Sequence, residues 1–111
     1  MARTFYRLIP DPAAKLEHFL SRTALGLPVP DVDPERCAEG ISVFATLAQA
    51  RRHSRISPGH GAYVVELEIP DDTDLVVRRT RRQAGHHTIW GAPDLLLRCV
   101  VRVVLASAAE R

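Results

Sequence analysis

Apolar and polar positions divide this chain into short segments whose period changes several times. Residues Arg3–Ile9 hold Thr4, Phe5, Tyr6, Leu8 and Ile9, a β-forming run closed by Pro10 and Pro12, so a first strand is expected there. Over Pro12–Leu25 the apolar residues Leu16, Phe19 and Leu20 recur at helical spacing. Asp11 suits the N-cap of that helix, Pro12 its first position and Gly26 its stop. Leu27–Glu39 contains Pro28, Pro30 and Pro34 beside Asp31 and Asp33, and reads as a surface loop. It is longer than most connections, and long ordered loops often carry function.

The stretch Gly40–Ala50, GISVFATLAQA, predicts a strand over Ile41–Phe44 that turns at Ala45-Thr46 directly into a helix. Thr46 suits the cap, and the helix should run through Leu47, Ala48, Ala50 and Arg51 to about Ser54. Ser57-Pro58-Gly59-His60-Gly61 is a turn by composition. Ala62–Ile69 alternates with period two: Tyr63, Val65, Leu67 and Ile69 share one face, and Val64, Glu66 and Glu68 share the other. After the acidic turn Asp71–Asp74, a short strand is expected at Leu75–Arg79, a loop at Thr80–His86 and a strand at Thr88–Trp90. One helical turn at Pro93–Leu97, a buried strand at Leu97–Leu105 and a tail at Ala106–Arg111 complete the pattern. The expected fold is a single α+β domain over residues 1–111, ordered over about 4–105, with a compact split β-sheet of five or six short strands and two helices.

Composition is that of an ordinary globular domain: 46% hydrophobic and 25% charged. No apolar run approaches the ~18–20 residues that span a bilayer, so no membrane partner is expected. The N-terminus lacks the apolar stretch of a secretion signal, and Cys37 and Cys99 are expected to be free thiols in a reducing cytoplasm. The net charge of +2 conceals clusters: Arg51, Arg52 and Arg55, then Arg78, Arg79, Arg81 and Arg82, against acidic groups at Asp31–Glu39 and Asp71–Asp74.

Several residues are candidates for chemistry. Arg7, inside an apolar strand, must face solvent or find a partner, and its planar fork suits a phosphate or carboxylate. Ser42 and Thr46 flank a strand-to-helix junction where hydroxyls and free N–H groups can hold a ribose or phosphate; plain capping by Thr46 is the simpler role. His86 and His87 are neighbours on a strand and so point to opposite faces, which disfavours a shared metal. No metal-type spacing joins them to His18, His53, His60 or the cysteines, and no metal is expected. One histidine of the pair can serve as general base or substrate clamp. Trp90 is either a core anchor or a stacking platform, with the core favoured. The run Arg78–Arg82 is either a solvated face or a contact to nucleic acid or an acidic protein partner.

In order and spacing these pieces resemble the small ADP-ribosyltransferase-like fold. The opening strand Phe5-Tyr6-Arg7, the strand–turn–helix Gly40–Ala50, the strand Val64–Pro70 and the late strand His86–Pro93 before Leu97–Leu105 carry the resemblance, over roughly residues 4–105. The resemblance implies a bacterial, toxin-like enzyme that uses NAD as substrate, of transferase or glycohydrolase type. It implies that Arg7, with Tyr6, holds NAD and that Ser42 or Thr46 orients it, with Tyr63 or Trp90 stacking on a ring. His86 or His87 then stands where the family has a glutamate that steadies the cationic transition state; the chain has no glutamate between Glu68 and Glu110. A neutral histidine can supply the hydrogen bond but not the charge. Two readings stay open: an NAD-using enzyme, and a non-catalytic module that binds nucleic acid or an acidic protein through its arginines.

Overall fold

Alternation and packing together select the strands. The computed structural model describes residues 2–107, so of the expected tail only Ala106 and Ser107 are described and residues 108–111 lie outside. Six strands form: β1 (Arg3–Ile9), β2 (Ile41–Phe44), β3 (Tyr63–Ile69), β4 (Val76–Arg79), β5 (His86–Trp90) and β6 (Val100–Leu105). They make one open antiparallel sheet in the order β4-β5-β2-β1-β3-β6. Three helices accompany them: α1 (Arg22–Leu25), α2 (Leu47–Ile56) and α3 (Pro93–Arg98). The expectation of two helices is thus corrected to three, two of them no longer than six residues.

Both faces of the sheet are covered, by different elements. Phe5, Ile9, Val43, Val65, Leu67 and Ile89 meet Phe19 of a 3-10 turn (Leu16–Phe19) and Leu96 of α3. On the other face Phe44, Val64 and Ala106 pack with Ala50 of α2, joined by Tyr6, Leu8, Leu47 and Val104. Phe19, Leu67, Ile89 and Leu96 are almost wholly buried, each contributing about 1.5–3 kcal/mol of apolar burial.

Between β1 and β3 seven consecutive residues pair, from Arg3↔Ile69 to Ile9↔Tyr63. Between β1 and β2 only Tyr6↔Phe44 does. The sheet is continuous but gapes at this joint, and the site is built there.

Two sequence expectations are corrected. The single helix over Pro12–Leu25 is broken: Lys15 and Leu20 are extended, leaving a 3-10 turn and the four-residue α1. The cause is tertiary. His18 is buried, its Nδ1 accepts from the Lys15 N–H at 3.0 Å, and its carbonyl accepts from Arg7 Nε at 2.8 Å, where a continuous helix would need it for Arg22. Gly26 does end α1, in the left-handed region at φ 71°. The buried strand Leu97–Leu105 instead begins at Val100, after α3, and is an edge strand with Val101 and Leu105 more than half exposed. The register jumps from Glu66↔Arg102 to Leu67↔Val100, which makes Val101 the extra residue of a bulge.

Candidate functional site

At the β1–β2 joint lies a cavity of about 710 Å³. Arg7 of β1, Ser42 and Phe44 of β2 and His86 of β5 form its floor. His53 of α2, His60 of the following turn, Arg81 and Gln83 form one side. Leu20, Leu25 of α1 and the loop residues Leu27, Pro28 and Val29 form an apolar wall.

Arg7 fills the gap between the splayed strands. Its Nε donates to the His18 carbonyl and its Nη1 to the Ser42 carbonyl, both at 2.8 Å. These bonds link β1 to β2 and to the 3-10 turn where the ladder has only one pair. Nη2 makes no hydrogen bond, and no carboxylate lies within ion-pair distance of the guanidinium among the described residues. Among the described residues every side-chain nitrogen and oxygen sealed from solvent has a partner, so Nη2 is open to solvent, and Arg7 lines the cavity. Desolvation lowers the Arg7 pKa to about 10, which leaves the group cationic at neutral pH.

His86 is almost fully buried. Its Nδ1 lies 2.9 Å from Thr80 Oγ1 and 3.2 Å from the Thr80 carbonyl. A carbonyl accepts only, so Nδ1 carries the proton. The chain continues from Thr80 Oγ1 to Thr88 Oγ1 at 2.7 Å and from Thr88 Oγ1 to Cys37 Sγ at 3.6 Å. The Nε2 lone pair has no partner and, by the same reasoning as for Arg7, faces the cavity. Burial pushes the His86 pKa down, the Thr80 carbonyl opposes this, and Arg81, His53 and His87 add to the fall.

The loop Leu27–Glu39 is ordered by polar ties that sequence spacing does not reveal. Asp33 accepts from the Cys37 and Ala38 N–H groups with its two carboxylate oxygens, at 3.0 and 2.9 Å. Arg22 Nε donates to the Pro28 carbonyl, the Arg81 N–H to Glu35 Oε1 and Trp90 Nε1 to the Arg36 carbonyl. Trp90 thus ties the loop to β5 and does not line the cavity. Cys37 is buried in this loop, and Cys99, expected in a buried strand, stands at the C-cap of α3; both are free thiols.

The remaining candidates are dispersed. His87 points to the opposite face from His86, with its ring 5.0 Å from that of Phe5, and does not line the cavity. Tyr63 belongs to the main core and Tyr6 to the α2 side. Thr46 caps α2: its Oγ1 accepts from the Gln49 N–H, and Gln49 Oε1 accepts from the Thr46 N–H, both at 3.1 Å. Arg78 and Arg79 stand on opposite faces of the edge strand β4, so the run through Arg82 is not one continuous patch. Sequence reasoning missed Arg22, His53 and His60 as cavity residues; the length of the loop was the one available signal.

Asp11, Glu17 and His18 bring ligand atoms within 4.8 Å of one another. His18 Nδ1 accepts from Lys15, so Nε2 holds the proton and donates it to Asp11 Oδ2 at 2.9 Å. The group ties the end of β1 to the 3-10 turn that supports Arg7.

No family model, no curated protein and no solved structure matches this chain. No helix among the described residues is long and apolar enough to cross a membrane.

Proposed function

We propose that this chain is an NAD-binding domain of the ADP-ribosyltransferase-like type, with the dinucleotide received in the cavity at Arg7. The observation that carries the reading is Arg7 itself: a desolvated guanidinium, without a carboxylate partner among the described residues, presenting Nη2 to a cavity of ligand size. An arriving diphosphate supplies the missing negative charge through bonds that a guanidinium makes well. Ser42 and His86 come from the two strands next in order, so the floor offers a cation, a hydroxyl and an acceptor nitrogen side by side. The apolar wall suits the flat face of a nucleobase or nicotinamide.

The roles divide accordingly. Arg7 holds the phosphates, Ser42 donates to or accepts from a ribose, and His86 Nε2 accepts a hydrogen bond from a ribose hydroxyl while the ring is neutral and donates to a phosphate oxygen once it is protonated. Cleaving the glycosidic C–N bond builds positive charge on the ribose, which a carboxylate would stabilise and neutral His86 does not. Asp33, the one carboxylate among the described residues that line the cavity, is occupied by two backbone N–H groups. The site is therefore built for binding, with nicotinamide release slow. The alternative of a nucleic-acid or acidic-protein module has less support, since the arginine run is divided between two faces and Arg51 is bonded to the Leu105 carbonyl.

Calorimetric titration with NAD and with ADP-ribose, alongside a nicotinamide-release assay, tests this. Binding in the micromolar range is expected. Arg22→Ala, at an exposed cavity position, should weaken it several-fold, and Arg7→Lys, which keeps the charge but not the fork, by about tenfold or more. Failure of both ligands to bind at about millimolar concentration overturns the reading. Binding that ignores both substitutions does so as well.

A further inference from the structure

The cavity holds more histidine than its floor requires. His86, His53 and His60 all line it, linked through Phe44: the His53 and His60 rings lie 4.7 Å apart, Phe44 and His53 5.1 Å, and Phe44 and His86 5.6 Å. Hydrogen bonds set where two of them can gain a proton. His86 Nδ1 is already a donor, so a second proton goes to Nε2, the atom that opens on the cavity. His53 Nδ1 accepts from Gln83 Nε2 at 2.9 Å, so its second proton goes to Nδ1 once the exposed Gln83 amide turns to offer its oxygen. Neither step breaks a backbone bond.

We propose that this site binds its ligand with uptake of protons on His86 and His53, so that affinity for an anion rises as the solution becomes acidic. The inference rests on the reading of the cavity as a nucleotide site and names how that site is regulated. In the empty cavity both protons are unwelcome. His86 is faced by Arg81 from the β4–β5 turn, by His53 from α2, by His87 on its own strand and by Thr80, with Cys37 beyond Thr88. His53 is faced by His60 and Gln83. Arg7 and Arg22 add positive charge around the same space, and the carboxylate on its wall, Asp33, is engaged by backbone. Burial, with Arg81, His53 and His87 against the Thr80 carbonyl, holds His86 below its ordinary range, and burial with His60 does the same for His53. A bound diphosphate reverses the sign of the local field, and linkage then requires the complex to hold protons that the free protein does not. The diphosphate of a dinucleotide stays fully ionised throughout the histidine range, so the change belongs to the protein.

The test is calorimetry of ADP-ribose binding to the intact chain from about pH 8 to about pH 5.5, in two buffers of different ionisation enthalpy. The buffer pair counts protons taken up and needs no variant. Uptake above zero is expected near pH 6, with affinity rising by up to about tenfold per pH unit for each proton. His53→Gln, at a partly exposed helical position, should reduce both the uptake and the slope; His86→Gln should reduce them further. Binding that is unchanged over this range, with no uptake, overturns the inference and leaves the nucleotide reading standing. Uptake that His53→Gln and His86→Gln both leave intact also overturns it. Absence of binding at every pH overturns the nucleotide reading and this inference together.

Discussion

Arg7 and His86 show how burial changes what a single side chain does. Both lie in strands, both are desolvated, and each has its inner atoms bonded and one nitrogen left for the cavity. For His86 the consequence for stability follows from its lowered pKa. Above the ordinary value of 6.5 the ring is neutral in both folded and unfolded chain, and its contribution is level. Below 6.5 the unfolded chain takes a proton that the folded one refuses, so stability falls as pH drops toward the folded value. Stability, followed through the thermal midpoint, should therefore decline as pH falls below about 6.5, by at most about 1.4 kcal/mol per pH unit from this residue. His86→Gln should flatten that decline; an unchanged pH profile in this variant would refute the assignment.

Among the elements, α2 depends most on its ends. Only Ala50 of its ten residues is buried, and Arg51, Arg52 and Arg55 keep its outer side polar. A short helix with so little buried surface relies on capping. Thr46→Ala removes the bond to the Gln49 N–H and should cost about 1 kcal/mol, lowering Tm by about 4 °C. Thermal denaturation of the variant measures this directly, and an unaltered Tm would show that the cap contributes nothing. Cap, strand and helix were all legible over Gly40–Ala50: the cap is a bond between neighbours three residues apart, and the strand shows in its own β-forming run although its ladder partners lie far along the chain. The helix expected over Pro12–Leu25 was legible only as a pattern of Leu16, Phe19 and Leu20. Its interruption depends on Arg7 taking the His18 carbonyl, a contact eleven residues away in sequence.

At the scale of the whole molecule, the sheet is two well-paired groups of strands meeting at a weak joint. β1, β3 and β6 pair over long registers on one side, and β2, β5 and β4 on the other; Tyr6↔Phe44 is the one ladder pair between them. Amide hydrogen exchange should accordingly be slower in β3, paired on both sides, than in β2, whose edge toward β1 is open. Equal protection across the two strands would argue that the joint is closed in solution. On the proposed reading, added ADP-ribose should slow exchange at Ser42 and Phe44 first, since they line the cavity.

By itself the sequence determined the local order of this protein: the alternation that makes β3 a strand, the Thr46 cap, the stop at Gly26, and the choice Arg7 faces between solvent and a partner. These rest on side-chain period, backbone sterics and short-range hydrogen bonds, which act over a few residues. Only the tertiary structure decided which partners Arg7 has, that His86 and not His87 lines the cavity, that Trp90 ties down a loop, and that His53 and His60 join the site. Those outcomes follow from strand order and register. Register is set by the total apolar surface buried on two faces of the sheet, a quantity that no local window of sequence contains.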